Sequence, residues 1–157
     1  MKKFFLFPLM VLATLIALPA CSDDDKETID PGKPETPVAT TYTGRLIVNN
    51  GAYIKENADC EITFAENGNK LTLNINSVKF AEAMPVTINL SVPEIPCATE
   101  NGKTIFSGND IVPMIGVAPA EAYTFSAITG SIENSALEFS ATLTKGSFSF
   151  TGVEKQQ

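Results

Sequence analysis

From Tyr42 onward the chain alternates apolar and polar residues in short runs broken by Gly, Asn and Pro, and no stretch holds an apolar period of 3.6 for three turns. Period two places successive side chains on opposite faces of an extended backbone, so these runs specify strands with one dry and one wet face. Tyr42, Gly44, Leu46 and Val48 share the face of a first strand, with Thr43, Arg45 and Asn49 on the other. Cys60, Ile62 and Phe64 alternate with Glu61, Thr63 and Ala65, and Leu71, Leu73 and Ile75 with Thr72, Asn74 and Asn76. Between them stands Glu66-Asn67-Gly68-Asn69. Asn-Gly between alternating runs is the strongest short-range hairpin signal, so these two strands run in opposite directions.

Beyond Ile75 the phase slips, since Val78 and Phe80 fall out of register, and this predicts a bulge or bend. Val86, Ile88, Leu90 and Val92 form the apolar face of the next strand. Pro93 and Pro96 are expected to stop it, because neither can donate to a ladder. A second Asn101-Gly102 turn precedes a short strand around Thr104 to Ser107. Tyr123 to Ile132 makes another, with a phase change near Ala127-Ile128. In the last hairpin Leu137, Phe139, Ala141 and Leu143 face in, followed after Lys145-Gly146 by Phe148 and Phe150. The pattern predicts an all-β fold of about eight short strands. A sheet dry on one side must stack or close. Short connections favour a single antiparallel, mostly up-and-down barrel, and a β-sandwich of the same strands is the alternative.

Several segments resemble the calycin-like family, small lipocalin-related β-barrels among secreted lipoproteins of Gram-negative gut bacteria. They are Tyr42-Thr43-Gly44-Arg45-Leu46, the run Leu90 to Pro96, Gly130-Ser131-Ile132, the run Leu137 to Leu143, and Phe148-Ser149-Phe150-Thr151-Gly152. The resemblance covers nearly all of the expected domain, residues 42–157. It implies a barrel and no particular activity, because its motifs are strand patterns and not catalytic signatures.

The start of the chain is of a different kind. Met1-Lys2-Lys3, the largely apolar run Phe4 to Leu18 and Leu18-Pro19-Ala20-Cys21 have the layout of a secretory signal over residues 1–20. The apolar run is shorter than the roughly 20 residues of a membrane-spanning helix. Leu-Pro-Ala-Cys resembles a bacterial lipobox, which implies cleavage before Cys21 and acyl chains on it. Those chains would hold the protein to the outer membrane without further help. Residues 21–41 read as a linker. Six acidic residues against Lys26 and Lys33 give Ser22 to Thr41 a net of −4, and Pro31, Pro34 and Pro37 fall three apart. Such a segment buries too little to order itself and reaches at most roughly 60 Å. Its opening, Ser22 to Glu27, resembles the acidic surface-export signal of lipoproteins from the same bacteria. That implies exposure at the cell surface.

Without residues 1–20 the chain has nine basic against eighteen acidic residues, a net of −9. This argues against nucleic acid as a partner, because phosphates require a basic footprint. Cys60 and Cys97 can form a disulfide in an exported protein or stand as two buried thiols.

The chain contains no histidine, which removes Ser-His-Asp and Cys-His arrangements and the commonest metal ligand. No nucleophile elbow, phosphate-binding glycine loop or calcium loop occurs. The sequence therefore points to no catalytic residue, metal or cofactor. The carboxylates Glu94, Glu100, Asp110 and Glu121 read as solvated. One segment breaks the alternation. Ile111 to Pro119 is apolar throughout and holds two prolines. It reads either as a connection that covers one end of the barrel or a buried irregular strand, or as a portal or partner patch running over one open end. Ile111, Val112, Met114 and Ile115 are its candidate patch for a small apolar ligand or a partner protein, with Met114 or Ile115 partly exposed. The expected function is that of a surface-anchored, non-enzymatic barrel binding such a ligand or partner. The alternative is a structural or interaction subunit whose barrel is solid.

Overall fold

A computed structural model describes residues 38–156 of the chain. Cys21, the expected signal segment and the acidic run lie outside the described residues. The strands are β1 Ala39–Asn49, β2 Ile54–Asn67, β3 Lys70–Val78, β4 Ile88–Glu100 and β5 Lys103–Gly108. They continue with the two-residue strands β6 Met114–Ile115 and β7 Ala118–Pro119. A 3-10 turn at Glu121–Tyr123 follows, then β8 Phe125–Glu133, β9 Ala136–Leu143 and β10 Gly146–Glu154. All pairings are antiparallel. The wall order β1-β2-β3-β4-β5-β8-β9-β10 closes where β10 pairs with β1, Phe150 opposite Leu46. This is the eight-stranded up-and-down barrel that the short connections favour, and not the sandwich.

The inward rows are those the sequence predicts. Tyr42, Leu46, Val48, Cys60, Ile62, Phe64, Leu71, Leu73, Ile75, Leu137, Phe139, Ala141, Leu143, Phe148 and Phe150 are all buried. Gly44 and Gly152 face each other across the closing seam. A Cβ on Gly44 would collide with the Gly152 backbone, so the two glycines let β1 and β10 approach and leave space for the Phe150 ring.

Each phase slip is a bulge. Between the pairs Ile75↔Leu90 and Val78↔Ile88, β3 carries one extra residue, and Ser77 sits at φ 59°. Between Phe125↔Leu143 and Ala127↔Thr142 the extra residue is Ser126, whose Oγ donates to the Thr142 carbonyl at 3.1 Å.

Two expectations are corrected. The linker ends earlier than Thr41, because Ala39, Thr40 and Thr41 already pair with Ala65, Phe64 and Thr63. β4 does not stop at Pro93 and Pro96 but runs through both to Glu100, while Val86 lies outside it and is exposed. The physical reason is a third bulge. Between Leu73↔Val92 and Leu71↔Ile95 the strand holds an extra residue, with Glu94 at φ 57°. The bulge absorbs Pro93, which has no N–H to donate, and returns Ile95 to the inside.

The two ends of the barrel differ. Gly68–Asn69, Asn101–Gly102 and Asn134–Ser135 close tight hairpins at one end, where β1 begins and β10 finishes. The positive φ of Asn101 and Gly102, and of Asn134 and Ser135, is what a two-residue hairpin requires. The other end carries the long connections, residues 50–53, 79–87 and 109–124.

Candidate functional site

The barrel interior is occupied by side chains. Among the described residues, twenty-three apolar ones with at most 5% exposure form one cluster drawn from all eight wall strands. Toward the hairpin end Tyr42, Phe64 and Phe106 contact in sequence, with ring centroids 6.4 and 6.3 Å apart. Phe139 and Phe150 stack at 5.7 Å. Toward the long-loop end Phe125 meets Phe148 edge-on at 5.9 Å. An eight-stranded barrel is just wide enough for its inward side chains to fill. Depressions of about 670 Å³ beside Pro96, Ala98 and Ile105, and about 560 Å³ beside Ser107, Thr129, Ser140 and Ser149, lie on the outer wall.

At the long-loop end Phe80 plugs the mouth. Twenty-two of the twenty-three core residues sit in strands, and Phe80 alone belongs to an irregular connection. Its ring lies between Tyr123 at 4.6 Å and Phe148 at 5.2 Å, tilted by 34° and 30°. Its carbonyl accepts from Asn50 Nδ2, and its N–H points at Met84 Sδ, 3.1 Å away. Asn50 also accepts from the Tyr53 N–H at 2.7 Å, so one carboxamide joins the 50–53 turn to the plug. In the sequence Phe80 is only a residue out of phase. The period-two template has no place for a core residue supplied by a loop.

The apolar segment lies at this same end, with Met114 and Ile115 half-buried as expected. Its course is that of an irregular paired strand and not of a run over the rim. Ile111 exchanges both backbone hydrogen bonds with Phe125, at 3.0 and 2.8 Å, and Met114 pairs with Ser91 of β4. The segment therefore fills the gap in the wall left where the short β5 ends. The four candidate residues separate in role. Ile111 and Ile115 pack on the core, whereas Val112 and Met114 are half-buried without joining it. Among the described residues the most exposed large apolar one is Val117, 97% exposed at the tip of the β6–β7 turn. Val86 and Ile54 are exposed at the same end of the barrel.

Of the two readings open for Cys60 and Cys97, the structure has two free thiols, Cys60 buried and Cys97 half-buried. Cys60 faces inward opposite Gly44, while the Cys97 N–H donates to Asn69 in the β2–β3 turn at 2.9 Å. Seven residues of β2 separate Cys60 from that turn, about 23 Å at about 3.3 Å per residue. A disulfide needs Cα atoms within about 7 Å. The wide separation along the barrel was invisible in the sequence because it follows from register. Burial, with Glu61 adding to it, pushes the Cys60 thiol up to about 11. Burial and then Glu66 raise Cys97 as well.

The carboxylates are dispersed. Glu94 forms an exposed ion pair with Lys70 at 2.7 Å, and Glu100 ends β4 at the hairpin end. Asp110 and Glu121 lie in the 109–124 excursion at the opposite end. The chain matches no protein-family model, and no curated protein or solved structure matches it.

Proposed function

We propose that this chain is a lipid-anchored barrel of the calycin-like kind, displayed at the cell surface, whose role is non-enzymatic interaction and not storage of a ligand in its interior. The observation that carries this reading is the filled interior, with rings and aliphatic side chains from every wall strand in mutual contact. Material that recognises a partner must then act through the outer wall or the long-loop end. The exposed Val117, Val86 and Ile54 support the loop end as the contact region. The up-and-down order, with the last strand pairing the first, is what the calycin-like resemblance implies. The anchor and its address rest on Leu18 to Cys21 and on Ser22 to Glu27.

Metabolic labelling tests the anchor. Cells given radioactive palmitate should label the wild-type protein and leave a Cys21→Ser precursor unlabelled and out of the membrane fraction. A labelled, membrane-bound Cys21→Ser protein removes the anchor. Replacing Asp23, Asp24 and Asp25 with alanine should preserve labelling and reduce cleavage by protease added to whole cells. Unchanged cleavage removes the surface address.

A further inference from the structure

We propose that the gap between Tyr123 and Phe148 is a binding slot for a small, neutral, planar aromatic molecule, and that Phe80 occupies it as a displaceable plug. Three features of the long-loop end converge on this. The first is geometric. Phe80 packs against two rings at once, Tyr123 at 4.6 Å and Phe148 at 5.2 Å, with the planes tilted by 34° and 30°. Offset stacking at this spacing is how aromatic groups hold one another, so the two walls form a slot shaped for one flat ring. The second is topological. One wall belongs to β10 and the other to the 3-10 turn of the 109–124 connection, tied to the β9–β10 turn where the Thr144 N–H donates to the Thr124 carbonyl at 3.0 Å, whereas the ring between them hangs from the nine-residue 79–87 connection. Removing any other core ring from its place requires opening a strand. Removing Phe80 requires only moving a loop.

The third feature is chemical. The plug is retained at its backbone by the Asn50 carboxamide and the Met84 thioether. Met84, Ile111 and Ile115 pack on the core from the same end. The groups that touch the plug are uncharged, so its place offers stacking surface to a neutral ring. Displacement of an internal occupant lowers apparent affinity by the fraction of molecules with the slot open. Freeing the slot by mutation should therefore strengthen binding without altering its walls.

Indole is a suitable probe, titrated by calorimetry into the full-length protein, with cyclohexanol as a non-planar comparison. Wild type should bind one indole saturably. Amide hydrogen exchange should rise across residues 79–87 on binding, because the plug leaves. Phe80→Ala should bind indole at least ten-fold more tightly, and adding Tyr123→Ala should abolish that gain. Phe80→Leu, which retains apolar bulk without a ring, covers the case in which Phe80→Ala does not fold, and should bind more tightly than wild type. Three results overturn the proposal. Wild type does not bind indole, or binds it without added exchange at 79–87. Cyclohexanol binds as well as indole. Phe139→Ala, which empties an equally buried site on β9, gains indole binding equal to that of Phe80→Ala, so that any core cavity suffices.

Discussion

Cys60 couples the core to alkaline pH. Its thiol is buried against β1 and β3, with Sγ 3.9 Å from the Asn76 carbonyl, and its folded value lies at about 11 against a usual 9.0. A raised value means that the neutral thiol is favoured in the folded state. Below pH 9 it is protonated whether the chain is folded or not, and its contribution is complete. Between pH 9 and 11 the unfolded chain loses this proton and the folded chain keeps it, so stability falls as pH rises. Tyr42, raised by burial and then by Glu154, acts in the same direction. Denaturant midpoints should decline from pH 9 to 11, and Cys60→Ala should reduce the decline while starting from a lower plateau. A thiol reagent at pH 8 should leave Cys60 intact in the folded protein and modify it after denaturation. The apolar excursion yields a second contrast. Met114→Asp places a charge at a half-buried position outside the core and should leave the melting temperature within a few degrees. Ile115→Asp buries it against the core and should cost about 2–4 kcal/mol, read from the same melts. In sequence Met114 and Ile115 looked alike. What separates them is the bridge from Met114 to Ser91, a pairing across 23 positions that no local pattern announces.

Bulges shape this barrel at the level of the strand. Each inserts one residue, reverses which face the following side chains take, and tightens the local twist. Glu94 occupies the left-handed region at φ 57°, where a β-branched side chain is strongly disfavoured. Glu94→Val should therefore destabilise by about 1–2 kcal/mol, although it is exposed and its ion pair with Lys70 contributes little. Glu94→Gly should be neutral or mildly stabilising. Chemical denaturation of the two variants separates backbone strain from loss of the ion pair, because both remove the carboxylate. The bulges at Ser77 and Ser126 were legible in outline, since apolar residues on either side stand an odd number of positions apart. The one at Glu94 was not. Two prolines nearby carry a stronger signal for termination than a single shifted apolar residue carries for continuation, and whether a proline ends a strand depends on which neighbour its missing N–H would have faced. The hairpins were legible for the opposite reason: the backbone demand of a two-residue turn falls on the turn residues themselves.

For the molecule as a whole, closure brings the two ends of the barrel domain together. Tyr42 pairs with Glu154, and the Lys155 N–H donates to the Thr41 carbonyl at 2.8 Å. A circular permutant with Gln156 linked to Ala39 by a short Gly-Ser bridge and new termini between Asn101 and Gly102 should keep its β circular dichroism and unfold cooperatively. Deleting β10 from the native order should abolish that transition, because it removes both the seam and Phe148 and Phe150. Alternation could not decide between barrel and sandwich, as each needs the same one-sided strands. The decision lies in a contact between the first and last strands, the longest separation in the chain. Closure also divides the freedom to change unequally between the two ends. Hairpins of two residues admit no insertion without shifting the register of both strands they join. The 79–87 and 109–124 connections are under no such demand, and doubling the length of a flexible loop costs only about 0.6 kcal/mol. Descendants of this chain can therefore diverge in length and composition around the mouth while the opposite end is copied unchanged, so that new recognition can arise there without the barrel having to be solved again.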